Sequence, residues 1–303
     1  MSTFLLVLPD FMLILLGWLL RHRLGYERSF FMPLERLIYY VLFPALLFQA
    51  TLRAPIVLDD AINLIGATLA LLAIGILLAQ LARPLLRLPA FEHACVAQCG
   101  YRFNTYLGLA IAFSLAGTRG QSIMAIIIGL AVPIVNAAAV FGLARTNGGS
   151  VGRELLRNPL LLATVLGLAG NMLGLHLPGP VEIFANKLGA AAIALGIVCV
   201  GANLSWEGGK GQVGTMTWML AVKLIAMPAL AWPIGLAFGL PAVEQAMLLL
   251  FATLPTASSA YILAIRMGGD GRTVALLIST GTLLSALTIP LWLLMLPAAI
   301  QVQ

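Results

Sequence analysis

The sequence predicts an all-α polytopic membrane protein, with ten transmembrane helices forming two inverted five-helix repeats. Three observations predict it. The 303-residue chain is 61% hydrophobic and only 9% charged, with a mean hydropathy of +1.03. A soluble protein carries about 25% charged residues, so this chain has too few to cover a wetted surface. Its apolar runs recur at the length of about 20 residues that crosses a bilayer core. Two of those runs, at corresponding places in the two halves, carry polar interruptions.

The predicted spans are 4–20, 34–53, 61–82, 93–116, 121–144, 155–175, 182–204, 214–239, 244–266 and 272–296. Phe4–Leu20 is expected to be a retained span and not a signal peptide, because further apolar segments follow at once. No stretch remains for a soluble domain. The halves are 1–146 and 147–303. Lys and Arg set the orientation. The odd-numbered loops carry eleven: Arg21, Arg23, Arg28, Arg83, Arg87, Arg145, Arg153, Arg157, Lys210, Arg266 and Arg272. The even-numbered loops carry three: Arg53, Arg119 and Lys187. Cations concentrate on the cytoplasmic side, so both termini are expected outside the cytoplasm. The same scatter over short loops argues against nucleic acid as the partner of a chain with formal charge +6.

Five spans per half make the second half inverted relative to the first. The end of span four reads LAGTRGQS and the end of span nine RMGGDGRT. Aligning Gly117 with Gly268 and Gly120 with Gly271 needs no gap, and it sets Asn104 opposite Pro255 and Thr105 opposite Thr256. The two interruptions, GYRFNTYLG at 100–108 and LPTASSAY at 254–261, therefore coincide in the repeat. Broken helices that coincide this way mark a transporter site near the bilayer midplane. Span two has Pro44, whereas span seven has no proline; Gly189, Gly196 and Gly201, with Gly170 and Gly174 in span six, suit close helix packing.

Arg102 is the sharpest candidate, about ten residues into span four. A cation at that depth anchors an anionic ligand with its planar guanidinium or pairs structurally within the bundle. Gln98, one turn earlier, is placed to orient it. Lys223 is similarly deep in span eight and either contributes positive charge to the site or snorkels. Asp10, Glu35, Glu92, Glu182 and Glu244 all fall near predicted span ends, so the interior favours an anion and offers no evident proton carrier. Asn104 and Thr105 bond a ligand or repair the broken helix. The half-helix resuming at Tyr106 is expected to offer its N-terminal amides to an anion. After Pro255, the hydroxyls of Thr256, Ser258 and Ser259 repeat the pattern. Asn136, beside Pro133, lines the same cavity or bonds a neighbouring helix.

No phosphate-binding loop is present, so there is no engine for ATP-driven pumping. A hydrolytic triad is excluded because His22, His93 and His176 all lie at span ends. Cys95, Cys99 and Cys199 lie within apolar segments and read as small buried hydrophobes, without a fourth ligand for a zinc site. No cofactor is implied. A coupling ion, where one is used, is sodium or a proton.

The runs LERLIYYVLFPALLFQATL at 34–52, RFNTYLGLAIAFSLAGTRG at 102–120 and NPLLLATVLGLAGNMLGLHLP at 158–178, with residues 254–296, resemble the auxin efflux carrier family. The resemblance spans nearly the whole chain and is to short bacterial members described as malonate or malate permeases. N-T-x-x-G and P-T-A-S-S carry it in combination. It implies a ten-span inverted fold, distantly similar to the bile acid–sodium symporters. It also implies a crossover of broken spans four and nine at Asn104 and Pro255, an elevator-like motion and organic anions as cargo. Members often have a proline in span seven; here the region near Ala194 has none.

The expected function is therefore secondary transport of a small carboxylate across a bacterial inner membrane. The alternatives are a sodium-coupled bile-acid-like symporter and a membrane receptor or structural bundle that transports nothing. The expected partners are the carboxylate, the lipid bilayer and a second copy in a homodimer.

Overall fold

The computed structural model describes residues 3–53, 58–144, 159–206, 212–266 and 268–296. Arg145, Arg153, Arg157 and Lys210, and the predicted boundary between the halves at 146 and 147, lie outside the described residues. All regular structure among the described residues is helical. In chain order the helices are α1 (Thr3–His22), α2 (Arg28–Leu37), α3 (Phe43–Leu52), α4 (Leu58–Leu86), α5 (Ala90–Ala97), α6 (Thr105–Ala144) and α7 (Pro159–Met172). They continue with α8 (Gly179–Ala202), α9 (Val213–Ala221), α10 (Met227–Ala237), α11 (Ala242–Thr253), α12 (Ser259–Arg266) and α13 (Gly271–Leu293).

Six helical segments among these residues are long and apolar enough to cross a membrane: Arg28–Leu52, Ile62–Leu86, Ala90–Leu143, Gly179–Ala202, Val213–Ala237 and Gly271–Leu293. Two of them contain a wide π turn, Ile38–Leu42 and Val222–Ala226, each followed two residues later by a proline, Pro44 and Pro228. Pro228 has no N–H to give the Leu224 carbonyl, and the Trp292 indole N–H donates to that carbonyl instead (2.9 Å). The first of these segments begins at Arg28, earlier than predicted, because the amphipathic RSFFMPLERL is already helical.

At 54 residues, Ala90–Leu143 is far too long for one crossing. It doubles back at Ala116 and Gly117, which leave helical geometry; Gly117 has φ +57° and ψ −148°, a conformation open in practice only to glycine. A methyl added at Gly108 would sit 3.7 Å from Met124 Sδ. In a straight helix those residues would lie about 24 Å apart. Gly268, which the repeat alignment pairs with Gly117, also has positive φ, +83°.

α5 and α11 start alike. Leu88-Pro89-Ala90-Phe91-Glu92 and Leu240-Pro241-Ala242-Val243-Glu244 each place a proline at the N-cap and a carboxylate in the first turn. Proline there forfeits no helical bond, and the carboxylate faces the positive end of the helix dipole.

The helices form two groups. α3 packs on α7 and α8, and α8 on α1; α11 packs on α4, α10 and α13; α6 touches both groups. The α1–α8 contact is unusually close. A methyl at Gly17 would sit 1.9 Å from the Val198 carbonyl oxygen, and one at Gly201 would sit 1.8 Å from that of Ile14. The other glycines predicted to serve packing do so against side chains: Gly189 on Leu46, Gly196 on Tyr106 and Gly170 on Leu52. Gly174 instead turns the chain, at φ +66°.

Candidate functional site

Both predicted interruptions are real breaks, and they bond to each other. The first follows α5: a 3-10 turn at Gln98–Gly100 leads into the non-helical stretch Tyr101–Asn104, and α6 resumes at Thr105. The second is longer. α11 ends at Thr253, Leu254 is extended (φ −61°, ψ 134°), and α12 begins at Ser259. The Asn104 N–H donates to the Pro255 carbonyl oxygen (2.7 Å). The Thr256 hydroxyl donates to the Cys99 carbonyl (2.7 Å). Phe103 and Phe251 pack edge to face, with ring centroids 4.5 Å apart. Backbone groups released by a break in an apolar interior must find partners, and here each break supplies them to the other.

Arg102 lies at this crossing and is only 6% exposed. Its guanidinium donates to Gln98 Oε1 (3.3 Å) and to Ser259 Oγ (2.9 Å). The side-chain amide of Gln98 donates in turn to the Cys95 carbonyl (3.1 Å), so Gln98 is fixed before it holds Arg102. The ion pairs among the described residues are Arg53–Glu182 and Arg119–Glu244, so no carboxylate among them neutralises Arg102.

Asn104 serves the helix itself. Its Oδ1 accepts from the amides of Tyr106 (3.1 Å) and Leu107 (3.2 Å), the geometry of an N-cap. The expectation that this half-helix presents its free first amides to a ligand is thereby corrected, since the cap occupies them. The other end of the same amide, Nδ2, is buried without a hydrogen-bond partner, and so is Ser258 Oγ. Thr105 is half-buried at the first position of α6.

Lys223 is 2% exposed, and its Nζ has no hydrogen-bond partner. Its π turn packs on the first break: a methyl at Gly100 would lie 3.5 Å from Val222 Cγ1. Asn136 is half-buried on α6 and takes no part in the hydrogen bonds of the crossing.

A cleft of about 870 Å³ lies outside the crossing, between α1, α3, α6 and α8. Its wall includes Asp10, Gln49, Arg53, Ser114, Thr118, Arg119, Gln121, Ser122 and Asn186. None of the predicted site residues lines it. Ala110 and Ile193 do line it, and they pack with Tyr106, Ile14 and Ile197 in one apolar cluster. Tyr106 sits edge to face with Phe43 (4.6 Å) and against Gly196. This cluster joins the cleft to the Tyr106 end of the crossing. Asp10 was read from sequence as lying near a span end. In the structure it is 8% exposed and lines the cleft; the apolar run around it gave its depth but not the face it occupies. Its signal was a lone carboxylate after Leu8-Pro9 in an otherwise uncharged run.

Apolar helices of crossing length, with two breaks bonded to each other beside a buried arginine that no carboxylate among the described residues pairs with, make this a membrane protein with a polar interior site. Residues 143–293 match the family model described as membrane transport protein. A protein of Rhizobium meliloti (strain 1021) named "Putative malonate transporter" is 26% identical over 312 residues, covering 94% of this chain and 92% of its own. An "Uncharacterized transporter" of Methanothermobacter thermautotrophicus is 25% identical over 295 residues, covering 94% and 96%. The chain is therefore similar to membrane transport proteins over nearly its whole length, in line with its resemblance to auxin efflux carriers.

Proposed function

We propose that the protein is a secondary transporter of small carboxylates, with its binding site at the crossing of the two breaks. The observation that carries this reading is the set of unspent groups there. Arg102 has no carboxylate partner among the described residues, and Asn104 Nδ2 and Ser258 Oγ are buried without partners. An ionised carboxylate supplies what all three lack: negative charge and acceptor lone pairs. Arg102 attracts it, Asn104 and Ser258 complete its hydrogen bonds, and Gln98 and Ser259 hold Arg102 in place. Thr105, Pro255 and Thr256 shape the backbone around it, and Lys223 adds positive potential from the adjoining turn. Asn136 is assigned a packing role.

The movement we propose is alternating access of the elevator type, with the crossing carried against α1, α3, α7 and α8. The division of the helices into two groups supports it. Ten crossings in two inverted repeats are supported by the paired positive-φ glycines 117 and 268 and by the matched starts of α5 and α11. The distribution of loop cations supports a bacterial inner membrane orientation with both termini outside. Malonate heads the substrate panel because one relative carries that name.

The test is uptake of labelled malonate and other small carboxylates into proteoliposomes, with and without sodium, a pH gradient and an imposed voltage. Saturable uptake of one or a few carboxylates is expected. No uptake under any gradient, from protein that is folded and monodisperse, overturns the reading.

A further inference from the structure

We propose that Asp10 is a proton-binding site that couples carboxylate movement to the proton gradient. The inference rests on the transport reading above but on different residues. Asp10 lies in α1, within the apolar run LPDFMLILLG, and lines the cleft between α1, α3, α6 and α8. It is 8% exposed, and its Oδ2 has no hydrogen-bond donor.

The charges around it are committed elsewhere. Arg53, from α3, pairs with Glu182 at the start of α8. Arg119, from α6, pairs with Glu244 at the start of α11 (3.2 Å). Lys187 of α8 and Arg272 of α13 are exposed and outside the cleft wall. Tyr106 does not line the cleft and packs with its wall residues Ala110 and Ile193. A carboxylate oxygen buried without a donor makes the charge costly, whereas the protonated acid is neutral and brings its own donor. The cleft also reaches the half-exposed Arg53 and Arg119 at its rim, so water and its protons have a route to Asp10.

The coupling follows from like-charge repulsion. Ionised Asp10 opposes an anion entering the same cleft. When a hydronium ion gives its proton to Oδ2, an O–H bond forms, the site becomes neutral and the anion enters. Deprotonation to water on the other side of the transport cycle restores the charge and favours the anion's release.

The experiment combines transport and spectroscopy on the full chain. In proteoliposomes, Asp10→Asn holds the site neutral. It is expected to sustain counterflow exchange of labelled malonate but to lose accumulation driven by an inward proton gradient. Asp10→Glu is expected to keep that accumulation. In parallel, infrared difference spectra of purified protein across a pH titration are expected to show a protonated-carboxyl band that D10N lacks. Proton-driven accumulation by D10N at the wild-type level overturns the proposal, and so does an unchanged carboxyl band in D10N. If the wild type exchanges no carboxylate at all, the transport reading fails, and the infrared band still decides whether Asp10 binds a proton.

Discussion

Asn104 does two things with one side chain, and a substitution series separates them. Its Oδ1 caps α6 through the Tyr106 and Leu107 amides, while Nδ2 is buried and unpartnered. Asn104→Ala removes both. Loss of an N-cap side chain costs about 1 kcal/mol of stability. Serine is as good a cap as asparagine, so Asn104→Ser should restore stability to within a few tenths of a kcal/mol. It cannot restore the second donor. A hydrogen bond to a charged group contributes about 1.5–3 kcal/mol. At about 1.4 kcal/mol per tenfold, its loss weakens carboxylate binding roughly ten- to a hundredfold. Thermal unfolding in detergent measures the first effect, and the concentration dependence of malonate uptake measures the second. Asn104→Ser should therefore unfold like the wild type and carry a greatly raised KM. If that variant has a wild-type KM, Nδ2 does not touch the substrate, and the residue is a cap alone.

Arg102→Gln should abolish saturable uptake while leaving the protein folded, because Gln98 and Ser259 can still hydrogen-bond to an amide; uptake at the wild-type rate would remove the anion-anchor role. Thr256→Val leaves the buried Cys99 carbonyl without its donor and should cost about 1–3 kcal/mol in unfolding measurements. Asp270, outside the membrane spans, caps α13. The Thr273 hydroxyl, with the Thr273 and Arg272 amides and the Arg272 charge, holds its carboxyl below the usual range. A depressed value means that its stabilising effect is present above the ordinary carboxylate value and fades as pH falls through the lowered one. Asp270→Asn should therefore flatten the acid limb of a stability–pH profile, and an unchanged limb would refute the assignment.

The breaks were legible because polar residues in an apolar run admit few explanations, and Gln98 was legible beside Arg102 because one helical turn separates them. The contacts between the breaks were not legible. Ser259 lies 157 residues from Arg102, and so does Thr256 from Cys99, at a separation where only the fold decides proximity. Thr256 read as a free hydroxyl because its acceptor is a backbone carbonyl, which sequence does not mark. The cap formed by Asn104 was within reach, as asparagine before a resuming helix is a known start signal. The face that Asp10 occupies was not legible, because position along a helix suggests depth and conceals facing. The π turns were hidden for a related reason: proline marks a disturbed helix without saying whether it kinks or widens.

The contact between α1 and α8 has a consequence for the membrane's insulation. At Gly17 and Gly201 the two backbones meet with no side chain between them. A gap too narrow for a methyl group is too narrow for a file of water. The seam between α1 and α8 therefore leaves no path for ions at these two glycines. Each elementary charge that slips through a membrane at 100 mV dissipates about 2.3 kcal/mol. A bulkier residue at either glycine would force the two backbones apart.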